Sequence, residues 1–268
     1  MTRLCALYGV TRAGFYAWRQ RPVSAHAKRD RLLLARIHTH FAAHDGRYGS
    51  PRIHHQLVQE GWAVSRRRVA RLMRSARLWA KAVRGYRAKV GVHRFYARHP
   101  NLLRAETAVA PNQIWVGDIT YLAVQGTWRY LTVIMDQFSR RILAWSLGQR
   151  RDTFVTRAVL ATAVRRRKPA PGLIFHSDRG SEYLGAPFRE QLVTYGMRQS
   201  ASVSGPGDNA QMESFFHSMK AELTRGVTFT DEGRLRQDLA GYLRYYNRTR
   251  AHSALGYRTP VDFEQLKS

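Results

Sequence analysis

The chain has 268 residues, 44% of them hydrophobic, enough to bury the core of one large domain or two modest ones. Its formal net charge is +27, which points to a polyanionic partner. Residues 1–100 hold 22 Lys and Arg against 3 Asp and Glu, a net +19, so the front of the chain is the stronger electrostatic anchor. Without a run of about 18 apolar residues, a lipidation signal or a signal-peptide core, a membrane partner is not expected. A cytoplasmic, nucleoid-associated location fits. Cys5 is the only cysteine, so no intrachain disulfide forms.

Residues 2–20 read as two short helices around a turn, the second capped by Thr11. Leu33, Leu34 and Ile37 place a helix over 27–42. In Tyr48-Gly49-Ser50-Pro51, Ser50 reads as a cap and Pro51 as the first helical residue. Gly61 ends that helix, and Ser65 caps another running to about Ala76. Val69, Leu72 and Met73 form its apolar side, while Arg66, Arg67, Arg68, Arg71 and Arg74 cover much of the rest. That basic face is a candidate DNA contact. Residues 79–111 lack periodicity, carry many cations, and read as a basic linker suited to a phosphate backbone.

From residue 112 the texture changes. Ile114–Leu122, Trp128–Asp136 and Arg140–Leu147 read as hairpin-connected strands. Helices follow from Asp152 to about Arg167, over Pro187–Gly196 and over Asn209–Arg225. Short strands fall at Gly172–His176 and Met197–Ala201. A mixed sheet with helices on its faces results.

Three acids stand out in this region. Asp118 sits mid-strand, where Asp is a poor strand former. Asp178 follows a strand end, where acids often point into a crevice. Glu213 shares a polar helix face with His217, Lys220 and Thr224, beside an apolar stripe of Met212, Phe215, Phe216, Met219 and Leu223. Singly, each has an ordinary structural reading: a hydrogen-bonded core Asp, a turn Asp, a surface Glu. Together they are hard oxygen donors of the kind Mg²⁺ takes. No Cys/His set has zinc-site spacing, no Walker loop is present, and no nucleophile elbow occurs.

The motifs Tyr16-Ala17-Trp18, Arg47–Ile53, Trp115–Leu122, His176–Tyr183, Asp208–Phe216 and Tyr246–Pro260 occur in this order. With them the sequence resembles the integrase-type transposases of insertion sequences, specifically the OrfB product of the insertion-sequence-three family. The resemblance implies an α/β fold: a ribonuclease-H-like mixed five-stranded sheet flanked by helices, preceded by an all-α helix-turn-helix-like region. The expected domains are a helical DNA-binding region over 1–78, a basic linker over 79–111, a catalytic core over 112–226 and a C-terminal helical extension over 227–268. Asp118, Asp178 and Glu213 are then the catalytic, metal-binding triad, and Lys220 a residue near substrate DNA. Two Mg²⁺ ions, with Mn²⁺ substituting, are the implied cofactors. The implied partners are the element's terminal inverted repeats, target DNA, further copies of the chain, and an upstream OrfA-type protein or fusion. The expected activity is cleavage of element ends and their joining to DNA. The alternatives are a nuclease of the same fold that does not join, and a silent DNA-binding repressor. The 34 residues between Asp178 and Glu213 are slightly fewer than the family's usual spacing, and the retroviral zinc module is absent.

Overall fold

The computed structural model describes residues 2–81, 100–202 and 209–266. The chain divides into two compact units, Met1–Lys81 and Ala82–Ser268.

The first unit is all helical. Helices α1 (Thr2–Leu7) and α2 (Arg12–Gln20) flank the expected turn, and the Thr11 hydroxyl accepts the Gly14 amide at 3.0 Å. Helices α3 (Ala25–Ala43), α4 (Ser50–Gln59) and α5 (Arg66–Ser75) bury Leu33, Ile37, Ile53, Leu57, Val69, Leu72 and Met73. Ser65 caps α5 through the Arg68 amide at 3.3 Å. The expected Ser50 cap is displaced by one residue. Gly49 occupies the cap position with no side-chain bond, and Ser50 is already helical. Pro51 explains the shift, because its fixed φ and missing N–H suit the first helical turn whichever residue precedes it. Gly61, at φ +85°, ends α4 as expected.

The second unit is built on five strands: β1 (Ile114–Val124), β2 (Thr127–Asp136), β3 (Ile142–Gly148), β4 (Ile174–Ser177) and β5 (Arg198–Ala201). Their order is β3-β2-β1-β4-β5. The first three are antiparallel hairpins, while β4 and β5 add in parallel. The tight turn at Gln125 and Gly126 has φ +49° and +73° at its two central residues, the geometry that suits the twist of flanking strands.

Both sheet faces are covered. Helix α6 (Thr153–Arg167), the single turn α7 (Ser181–Leu184) and α8 (Ala186–Thr194) pack on one face, where Val159, Leu160, Tyr183, Phe188 and Leu192 meet Trp115, Ile134, Ala144 and Phe175. Helices α9 (Ala210–Met219) and α10 (Glu232–Arg248) cover the other, where Phe215, Met219, Leu239 and Tyr246 meet Val116, Val133 and Leu147. Alternation along β1 sends Val116 to the α9 face and Trp115 to the α6 face. Gly117 is obligatory for its own reason. A Cβ there would lie 2.6 Å from Cζ of the fully buried Phe175. Gly117→Ala should therefore cost about 1–3 kcal/mol by overpacking, read as a lower denaturant midpoint at unchanged m.

One helix differs from the sequence-based expectation. The single helix over Asn209–Arg225 is two pieces: α9 ends at Met219, and Lys220–Thr224 forms one wide π turn, closed by the Arg225 amide on the Lys220 carbonyl at 2.9 Å. Apolar periodicity does not distinguish a wide turn from an α turn. Much of the expected linker, residues 82–99, lies outside the described residues. Its end is tied to β5: the Ala201 amide donates to the Pro100 carbonyl, and the Leu102 amide to Ser200 Oγ at 2.9 Å. The C-terminal segment is part of the same core, because the β2–β3 face is wider than α9 alone covers. Leu235, Leu239, Tyr242 and Tyr246 fill that space. The segment ends in α11 (Pro260–Gln265).

Candidate active site

Asp118 stands in the middle of β1, opposite Val133 of β2, on the α9 face of the sheet. One of its oxygens accepts the Ile119 amide at 2.7 Å. Its carboxyl pKa is pushed up to about 8. Burial is the main cause, followed by the negative charge of Asp178; Glu213 adds to the rise, and Arg151 opposes it. The three acids thus come from three elements to one electrostatic neighbourhood. Asp178 sits one residue past β4, and its Oδ1 accepts the Gly180 amide at 3.1 Å. The turn role that its sequence position offers is thus filled by this side chain. Glu213, in the first turn of α9, is exposed.

The neighbourhood favours cations. Deprotonated, Asp118 faces two like charges in a half-buried position, and a bound cation would relieve that repulsion. Among the described residues no three His, Cys, Asp or Glu side chains already converge on a single point tightly enough to hold an ion. The donors nevertheless suit a hard divalent cation: all are carboxylates, and Glu213 is exposed.

Lys220 opens the wide turn after α9. Its ammonium lies 4.7 Å from the Tyr121 ring centroid, and burial lowers its pKa while Asp118 pulls the other way. Tyr121 in turn packs edge-on against Trp128 at 5.0 Å, and both rings are exposed.

Sequence reasoning missed Arg151 and Glu182. Arg151 precedes α6, and its Nη2 pairs with Glu182 Oε1 of α7 at 2.6 Å. Glu182 is buried, whereas Arg151 is half exposed and lies within electrostatic reach of Asp118 and Asp178. In sequence the two are 31 residues apart, so no local pattern reveals the pair. Arg151→Ala should destabilise the fold by about 1–3 kcal/mol by stranding a buried carboxylate, less than for a fully buried pair because the guanidinium remains half in water. Thermal unfolding of the variant beside Arg151→Lys measures this.

The basic face of α5 lies in the other unit. Arg66, Arg67, Arg71 and Arg74 are exposed. Arg68 and Arg71 both grip Asp30 of α3, at 2.7 and 2.6 Å, so two of the five cations also serve the helix packing.

Comparison with known proteins bears on both units. A model of an HTH-like domain matches residues 28–86, and two models of the integrase core domain match 108–206 and 197–260. The chain is 36% identical over 265 residues to the "Insertion element IS600 uncharacterized 31 kDa protein" of Shigella sonnei, covering 98% of this chain and 97% of that one. It is 35% identical over 270 residues to the transposase InsF for insertion sequence IS3A of Escherichia coli K12, covering 97% and 92%. The transposase for insertion sequence element IS904 of Lactococcus lactis is 36% identical over 93% of this chain and 99% of its own length. Among solved structures, a chain of the simian T-cell lymphotropic virus intasome superposes with a TM-score of 0.51 at 15% identity, over 85% of this chain and 73% of that chain. At that identity the likeness establishes the fold, a ribonuclease-H-like sheet. Identity at this level over nearly the full length of both partners, together with the HTH-like and integrase core domain matches in this chain, makes the chain a member of the IS3-family DNA transposases.

Proposed function

We propose that Asp118, Asp178 and Glu213 form the catalytic centre of a transposase that cleaves the ends of its element and joins them to DNA. One observation carries this reading: the β1/β4 register pairs Gly117 with Ser177 and so sets Asp118 and Asp178 on neighbouring strands, and Asp178 and Glu213 of α9 both bring negative charge to bear on Asp118. Asp118, the innermost, would hold the divalent ions together with Asp178 and Glu213. When bound, Mg²⁺ or Mn²⁺ supplies an activated oxygen nucleophile and stabilises the leaving oxygen of an in-line displacement. Asp178 is held in its turn by the Gly180 amide, which fixes its aim before substrate arrives. Lys220, steadied over Tyr121, offers a cation to a substrate phosphate. Arg151, anchored by Glu182, keeps its outer edge available for a second phosphate contact.

The organisation fits this chemistry. The helical region 1–78 would grip the inverted repeats with the basic face of α5, and the basic linker 79–111 would follow the phosphate backbone toward the catalytic core, 112–226. Two ends must be brought together, so an assembly of at least two copies on DNA is expected. An upstream OrfA-type protein or fusion would complete the active species. A cytoplasmic, nucleoid-associated location follows from a DNA substrate. No helix among the described residues is long and apolar enough to cross a membrane.

The test is incubation of the full chain with Mg²⁺ or Mn²⁺ and DNA bearing the inverted repeats that flank its gene. Nicking at the repeat tips plus joined products supports the reading. Nicking without joining identifies a nuclease. Binding without cleavage, also after the upstream partner is added, identifies a DNA-binding repressor.

A further inference from the structure

On the β3 edge of the sheet, between the last turn of α6 and the second half of α10, lies a cavity of about 400 Å³. Five arginines line it: Arg141, Arg166, Arg167, Arg244 and Arg248. No Asp or Glu is among its lining residues. Glu264, just outside, accepts from Arg141 at 2.5 Å and from Arg167 at 2.9 Å, so one carboxylate answers two guanidinium groups. Arg166 is fixed differently, donating to the Leu143 carbonyl at 3.0 Å. Arg244 and Arg248, one turn apart on α10, are exposed, and among the described residues neither is paired with a carboxylate. Elsewhere on the same helix Arg234 pairs with Asp238, Arg236 with Glu232, and Arg250, just past its end, with Glu222. The unpaired cations are thus confined to the stretch of α10 that faces the cavity.

We propose that this groove is a second binding site for the phosphate backbone of duplex DNA, separate from the carboxylate centre. The inference rests on the reading of the chain as a DNA-processing enzyme. Glu264 answers only Arg141 and Arg167; gathering three further guanidinium groups beside them with no carboxylate partner among the described residues is unfavourable unless a polyanion covers them, and their planar donor forks match phosphate oxygens. The cavity is lined also by Trp145 and Leu243, which give the arginine stems apolar ground to lie against. Position agrees with charge. Helix α6 has 15 residues, roughly 22 Å at 1.5 Å per residue. Its N-terminal approach holds Arg151 beside Asp118 and Asp178, and its last turn holds Arg166 in the groove. The groove and the Arg151 approach to the acids thus lie at opposite ends of one helix, a separation that a duplex of a few turns spans. The site would grip flanking duplex without reading its sequence.

The experiment uses the full chain and a fluorescent random-sequence duplex of about 30 base pairs, titrated over a series of NaCl concentrations. The variant is Arg166→Gln with Arg244→Gln and Arg248→Gln, beside the same three positions changed to Lys. The expected result is a log Kd–log salt slope reduced by about 2–3 in the Gln variant, since each lost phosphate contact removes about 0.9, and near-normal binding in the Lys variant. Matched thermal unfolding of both variants excludes a folding defect. An unchanged slope in a folded Gln variant overturns the groove, as does a changed oligomeric state with unchanged DNA binding, which would make the groove a contact between copies or with an acidic protein. A wild-type chain that binds no duplex would instead overturn the DNA-processing reading itself.

Discussion

Asp118→Asn is expected to abolish strand cleavage, by about 10³-fold or more, while leaving repeat binding within about twofold. The carboxamide fills the same space on β1 and keeps an oxygen to accept the Ile119 amide. It removes the charge that would hold two cations, and it removes the partner with which Asp178 and Glu213 interact. Repeat binding is assigned to the helical unit, which contains none of the three acids. Gel-resolved cleavage and anisotropy on one DNA substrate separate the two effects. Normal cleavage by folded Asp118→Asn protein would reject the triad, and equal loss of binding would mean that the carboxylate shapes the fold rather than the chemistry.

Arg250→Ala is expected to be the most destabilising single change, at about 3–5 kcal/mol. Arg250 and Glu222 are both almost wholly buried, joined at 2.8 Å, and Tyr242 adds its hydroxyl to Glu222 at 3.0 Å. The interaction with Glu222 carries the Arg250 pKa above its ordinary value against the opposing effect of burial. Truncating the arginine leaves a carboxylate with no cation inside the core, which costs more than the pair contributes. The double change Glu222→Gln with Arg250→Met should recover much of the loss, because it removes both charges. Chemical denaturation of the three proteins decides this. If Arg250→Ala alone is mild, water reaches Glu222 and the site is not a closed interior. The same network ties the wide turn after α9 to the segment after α10. Lys220 begins that turn and Glu222 lies within it, so a displaced turn should also misplace Lys220 over Tyr121.

The tail Tyr246–Pro260 has a role that its sequence did not disclose. Tyr246 meets Phe215 edge-on at 4.9 Å, and His252 packs on Tyr246 at 4.6 Å. Asn247 exchanges two hydrogen bonds with the backbone of Ile142, both at 2.9 Å, and so caps the start of β3. Glu264 reaches Ser139 and Arg141. The contacts of Asn247 and Glu264 link residues more than 100 positions apart, and no spacing rule announces them.

Much was legible from local physics. Runs of β-forming residues set β1 to β3, the Gln125-Gly126 turn joined the first two, and Asp152 marked the start of α6 with its side chain on the Val155 amide at 3.0 Å. Thr11 and Ser65 marked α2 and α5 in the same way. The anomaly of an acid inside an apolar strand singled out Asp118. Such signals depend on neighbours within a few residues, and a sequence displays those directly. The remainder required the folded chain. Strand order, the Arg151–Glu182 and Arg250–Glu222 pairs and the arginine groove all join segments distant along the chain, while the π turn at Lys220 is local but leaves the apolar spacing unchanged. A charge on the sequence is only a charge. Whether it is neutralised, buried or left facing a cavity depends on what packing brings beside it, and for these arginines tertiary structure alone made that choice.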